Sequence, residues 1–94
     1  MSNKVLVKVE FIEYNVIFEI FIPVNEIIWR ISLLIQKSAA DLLGVNSNKD
    51  KYVIINKKTN EVYDVNKIVR ETDIRNGTEL IFYWFFKGFS FLLV

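Results

Sequence analysis

Val5, Val7, Val9 and Phe11 alternate with Leu6, Lys8 and Glu10, the two-residue period of a strand with one face buried. Glu13-Tyr14-Asn15 has turn character. Phe18, Ile20 and Ile22 then alternate with Ile17, Glu19 and Phe21 until Pro23, which cannot donate to a strand ladder and ends the run. Runs 5–11 and 16–22 together predict an antiparallel hairpin.

The period then changes. Asn25 has the chemistry of an N-cap and Glu26 suits the positive end of a helix dipole. Ile27, Ile31, Leu34, Ile35 and Leu42 recur at three- and four-residue spacings, which predicts an amphipathic helix over 26–43 with these side chains on its core face. Gly44 stands where helices commonly stop. A polar loop over 46–51 leads to a short third strand at 52–55, rich in aromatic and β-branched residues. Residues 56–60 are turn material, Val62-Tyr63 can pair back as a brief fourth strand, and 65–74 lack a clean period, predicting a short helical turn. Asn76-Gly77 is a tight-turn dipeptide that launches a last strand from Thr78 to about Phe86. One helix must therefore cover a mixed sheet of four or five strands, an α+β domain with the helix across one face.

Composition narrows the chemistry. The 94 residues are 52% hydrophobic and 24% charged, enough for one domain with one core. A formal net charge of +1, with scattered Lys and Arg, lacks the basic stripe that phosphate binding requires; Lys57-Lys58 is the densest pair and suits a solvated turn. Nucleic acid is not an expected partner. The chain has no Cys and no His, which removes thiolate zinc sites, thiol nucleophiles and the side chain most used for proton transfer near pH 7. Met1-Ser2-Asn3-Lys4 runs directly into the first strand without an apolar segment and cleavage site, so the expected compartment is the cytoplasm, at most at the inner face of the cell membrane.

Candidate catalytic groups do not assemble. Asp41, Asp50, Glu61, Asp64 and Asp73 fall in separate segments, whereas paired-carboxylate catalysis needs two to converge in a cleft. Ser32 and Ser38 have no His base. Gly44, Gly77 and Gly88 are too far apart for a phosphate loop, and Asn76-Gly77-Thr78, though it matches a glycosylation acceptor, reads better as a turn. No catalytic, cofactor or metal site is expected.

The element order, with Val69-Arg70-Glu71-Thr72-Asp73-Ile74-Arg75-Asn76-Gly77-Thr78-Glu79-Leu80, resembles ubiquitin. In this pattern Val69 and Ile74 pin a turn to the core, and Leu80 and Phe82 deliver the last strand to the sheet centre. The opening Lys4-Val5-Leu6-Val7-Lys8-Val9-Glu10-Phe11, then Tyr14-Asn15 and Phe18-Glu19-Ile20-Phe21-Ile22-Pro23, is similar to the small YukD/EsaB proteins, over roughly residues 4–84. The resemblance implies a ubiquitin-like β-grasp and a cytosolic accessory or regulatory role in the type VII (WXG100) secretion machinery of Gram-positive bacteria, with secretion-system proteins as partners. The domain is expected over 1–84, and the apolar tail over 85–94 departs from the family by extending past where a compact member would stop. The Phe91-Leu92-Leu93-Val94 terminus is not the slim diglycine that activating enzymes thread, so conjugation and sulfur transfer are not expected. In some relatives the domain is fused to a membrane channel, which makes an anchored or truncated membrane component the alternative reading. As a helix, residues 80–94 would span ~22 Å, short of the ~30 Å hydrocarbon core.

Two surfaces are candidate protein contacts. If Leu80, Phe82 and Trp84 face the core, Ile81, Tyr83 and Phe85 face outward, with Leu6 and Lys8 beside them. Ubiquitin binds most partners through such a position, and the resemblance implies the same use; the alternative is that the apolar tail folds over this face. On the helix, Trp29, Leu33 and Ala40 share a side away from the core stripe, forming either a contact surface or a lid over the 46–51 loop. The tail itself is expected to be covered by its own sheet, a second copy of the chain or a membrane, because large exposed apolar patches are rare on monomers.

Overall fold

The hairpin forms with the expected phase. In the computed structural model, which describes residues 3–44 and 51–85 and only the backbone of Glu13, Lys51, Trp84 and Phe85, strand β1 is Lys4–Phe11 and strand β2 is Val16–Pro23. They pair antiparallel with Lys8 opposite Glu19. The connection is a 3-10 turn, Ile12–Tyr14, closed by Asn15 at φ 53° with its N–H on the Ile12 carbonyl. Asn tolerates this left-handed conformation better than most residues.

Helix α1, Ile28–Leu43, crosses one face of the sheet. It begins two residues later than the sequence predicts, and Asn25 is not its cap: the Asn25 Oδ1 accepts from the Arg70 guanidinium instead. The first N–H groups of a helix need partners from outside it. Here the 65–67 loop supplies them, Ile28 N–H donating to the Lys67 carbonyl (2.8 Å) and Trp29 N–H to that of Val65 (3.1 Å). At the other end Gly44 takes φ +66° and closes the helix onto Ala40, as expected.

The core stripe of α1 also differs from the expected one. Ile28, Ile31, Ile35 and Ala39 are buried, whereas Leu34 is 38% and Leu42 65% exposed, and Ile27 is half-buried as the N-cap. Both stripes share Ile31 and Ile35. Apolar residues lie on several sides of the first two turns, so spacing alone leaves the rotation of the helix open; docking against the sheet core selects Ile28 and Ala39.

Strand β3, Lys51–Asn56, and strand β4, Glu79–Phe85, complete a four-stranded sheet in the order β2-β1-β4-β3. β4 runs parallel to β1 and antiparallel to β3. Val62 contributes an isolated bridge to Ile55 rather than a strand, and Val69–Glu71 is the short helical turn foreseen between 65 and 74. Gly77, at φ +87°, turns the chain into β4. Val7, Val9, Ile22, Ile54, Val69, Ile74, Leu80 and Phe82 close the core under α1. Phe82 stacks on Tyr52 at 4.4 Å and on Phe11 at 5.4 Å between ring centroids; such pairs add about 0.5–1.5 kcal/mol beyond burial. This is the ubiquitin-like β-grasp. The 46–50 loop and the 86–94 tail lie outside the described residues.

Alanine substitutions separate the two helix stripes. Ile35→Ala, at a fully buried site, should cost about 2–5 kcal/mol, whereas Leu42→Ala should stay within about 0.5 kcal/mol. Urea unfolding midpoints check both. Comparable losses at the two positions would refute the assigned rotation.

Candidate protein-contact surfaces

Alternation places Leu6, Lys8 and Glu10 of β1 on the sheet face away from the helix, with Ile17, Glu19 and Phe21 of β2 beside them. β4 adds Glu79, Ile81 and Tyr83, and β3 adds Val53 and Ile55. Ile81 sits between Glu10 and Ile55, and Tyr83 is opposite Val53. The structure brings Leu6, Ile81 and Tyr83 to one face, each half-buried, but the register sets Glu10 rather than Leu6 beside Ile81 and leaves Leu6 four residues away along β1. Phe85 belongs to β4, but its side chain lies outside the described residues.

Sequence reasoning passed over the most exposed apolar groups of this face: Ile17, Phe21 and Val62 are each 59% exposed. The signal was present, because Ile17 and Phe21 occupy the out-of-phase positions of the second strand. An open depression of about 380 Å³ lies on the same face, with Lys8, Glu10, Ile17, Glu19, Lys57 and Glu79 in its lining. Lys57 Nζ bridges to Glu10 Oε1 at 3.1 Å.

The helix presents a second surface. Trp29 is 42% and Leu33 54% exposed. They lie four residues apart on one side of α1, with Ala40 half-buried on the same side. Val65, whose carbonyl accepts from Trp29, is also exposed and extends the patch. The Arg30 guanidinium stands 5.6 Å from the centroid of the Trp29 ring, a cation–π arrangement that restrains the indole.

A third cluster is structural. Asn56 is buried at 8% exposure, and its Oδ1 accepts from the Lys58 and Thr59 N–H groups while its Nδ2 donates to the Tyr63 hydroxyl. Tyr63 in turn donates to Asp73 Oδ1 at 2.6 Å. The network fastens the 56–63 turn to the segment that precedes β4. Burial, then the Asp73 carboxylate that accepts its hydrogen bond, push the Tyr63 phenol up to about 12. An adjoining cleft of about 560 Å³ is lined by Asn56, Asp73 and the Asn76-Gly77-Thr78 turn. Among the described residues no group of three or more acidic side chains is placed to hold a metal ion.

Comparison with known proteins places this geometry. No family model and no curated protein matches the chain. Among solved structures it is similar to the EccD5 ubiquitin-like domain from Mycobacterium xenopi, with a TM-score of 0.72 and 12% identity over 92% of this chain and 99% of that one. It is also similar to a chain of the MycP5-free ESX-5 inner membrane complex, with a TM-score of 0.70 and 14% identity, covering 92% of this chain but only 22% of that one. A chain of the toluene 4-monooxygenase HD complex has the same fold at a TM-score of 0.67 and 8% identity, over 85% of this chain and 99% of that one. The structural neighbours include ubiquitin-like domains, and the chain has their fold.

Ionising Tyr63 opposes that fold. Its phenol is held above the ordinary value of 10, so the stability it contributes is complete below pH 10 and is lost as pH rises through about 12. Wild type should therefore lose more stability between about pH 8 and about pH 11 than Tyr63→Phe, measured by urea unfolding at each pH. Equal losses in the two proteins would remove Tyr63 from the account.

Proposed function

We propose that this chain is a ubiquitin-like protein-interaction module that acts by binding, as an accessory or regulatory component of a type VII secretion system close to the YukD/EsaB proteins. The observation that carries the reading is the match in extent to the EccD5 domain: the alignment covers 92% of this chain and 99% of that domain. Fold alone does not give function, and the surfaces supply the rest. Trp29 and Leu33 are exposed on a helix flank, and Trp is enriched at the energetic centres of interfaces. Leu6, Ile81 and Tyr83 offer a second contact on the sheet. The proposed partners are secretion-system proteins on the cytoplasmic side of the membrane.

The alternative is a domain of a larger membrane component. It draws support from the ESX-5 chain, of which this sequence spans 22%. Among the described residues no helix is long and apolar enough to cross a membrane, so an anchor would have to come from elsewhere, such as residues 85–94.

Titration against the cytoplasmic part of a type VII membrane complex tests the first reading. Saturable binding is expected, with Trp29→Ala and Leu33→Ala together weakening it at least ~10-fold, as a hot-spot pair would. Absence of binding would refute the secretion assignment. Flotation on anionic vesicles, with and without residues 88–94, tests the alternative: only an anchored chain floats, and only when the tail is present.

A further inference from the structure

The outer sheet face carries an ordered row of charge. Reading across the strands in the order β2-β1-β4-β3, Glu19 is opposite Lys8 and Lys8 opposite Glu79. Lys57, just beyond β3, donates its N–H to the Glu79 carbonyl and completes the row. All four side chains are exposed and line one depression. The signs run minus, plus, minus, plus. Among the described residues Lys8 forms no ion pair within 4 Å with either flanking glutamate, although it stands between them; on this face Lys57 pairs with Glu10.

Such a row is complementary to itself when reversed about its midpoint. A two-fold axis parallel to the strands, lying between β1 and β4, sets Lys8 of one chain against Glu79 of the other and Glu19 against Lys57. The symmetry makes each contact twice. In the adjoining row the same axis sets Ile17 against Ile55 and Glu10 against Ile81, with Lys57 of the same chain beside the Glu10 carboxylate. Aligned face-to-face packing is an ordinary arrangement for twisted sheets.

The geometry points to this face as a homodimer interface, its occupant a second copy of the chain held in register by the Glu19-Lys8-Glu79-Lys57 row. The inference stands on the row and is independent of the secretion reading. Four strands about 4.8 Å apart and about six residues at ~3.3 Å make a face of roughly 19 by 20 Å. Two such faces fall below the ~1,200–2,000 Å² buried by stable complexes. The dimer is therefore weak and, because its pairs are solvent-exposed before association, sensitive to salt.

Charge reversal on the full chain tests it by sedimentation velocity over a concentration series, at about 0.02 M and about 0.5 M salt, with circular dichroism confirming the fold. Wild type is expected to dimerise at low salt and to dissociate at high salt. Lys8→Glu sets two glutamates against each other twice, and Glu79→Lys does the same with lysines; each variant alone should self-associate at least ~10-fold more weakly, since like charges opposed across an interface are costly. Mixing the two variants restores opposite signs at every central contact and should return a one-to-one heterodimer. A wild type that stays monomeric, a dimer that persists in either variant or a mixture that stays monomeric overturns the proposal. A persisting dimer would assign self-association to another surface, such as the apolar 85–94 segment.

Discussion

Leu6 and Asn76 are 70 residues apart in the chain, yet the Leu6 N–H donates to Asn76 Oδ1 over 2.8 Å. Gly77 N–H returns to the Leu6 carbonyl, and Lys8 N–H meets that of Thr78. These bonds seat β4 parallel to β1 at the centre of the sheet. No tight turn can join parallel neighbours, so the intervening chain must cross over one face and return at the edge. α1 makes that crossing and β3 takes the edge beside β4. The stack of Phe11, Phe82 and Tyr52 then draws β1, β4 and β3 onto one aromatic centre, which gives the long closure an apolar reward.

The second half of the crossover is pinned by backbone more than by side chains. Loop 65–67 caps α1 with its carbonyls, and Val69 and Arg70 N–H groups return to the carbonyls of Glu26 and Val24. Asn56, Tyr63 and Asp73 tie the following turns together. A satisfied polar network anchored on the buried Asn56 fixes one arrangement of the loops where an apolar contact would tolerate several.

Legibility in the sequence followed from how many forces agreed at each position. In β1 the alternation Val7, Val9, Phe11 coincides with the buried face, and Gly44 and Gly77 stand where positive φ is required; here local and tertiary demands say the same thing. In α1 they part. Ile27, Leu34 and Leu42 have the right spacing, but the register of docking decides which of the apolar positions on several sides of the helix are buried. Asn25 has cap chemistry, yet the carbonyls of Val65 and Lys67, far along the chain, serve the first helical N–H groups instead. The site followed the same rule: strand phase showed Ile81, Tyr83 and Leu6 pointing outward, whereas Glu19, Glu79 and Lys57 become a row only through the parallel pairing of β1 with β4.

One helix and four strands leave the domain with two surfaces of different physics. On the sheet, charged side chains interrupt Ile17, Phe21, Ile81 and Ile55, which keeps any continuous apolar patch small and makes association there depend on matching signs. On the helix side, Trp29 and Leu33 of α1 and the neighbouring Val65 of the 65–67 loop are exposed, with Arg30 beside the indole. That flank can gain affinity by burying area, at about 25 cal/mol per Å². Because α1 lies on the far side of the sheet from the charge row, occupation of one surface leaves the other accessible. A weak symmetric contact through the sheet would present two helix flanks at once, and a partner with two matching sites would bind the pair more tightly than either alone, at the effective concentration set by their fixed separation.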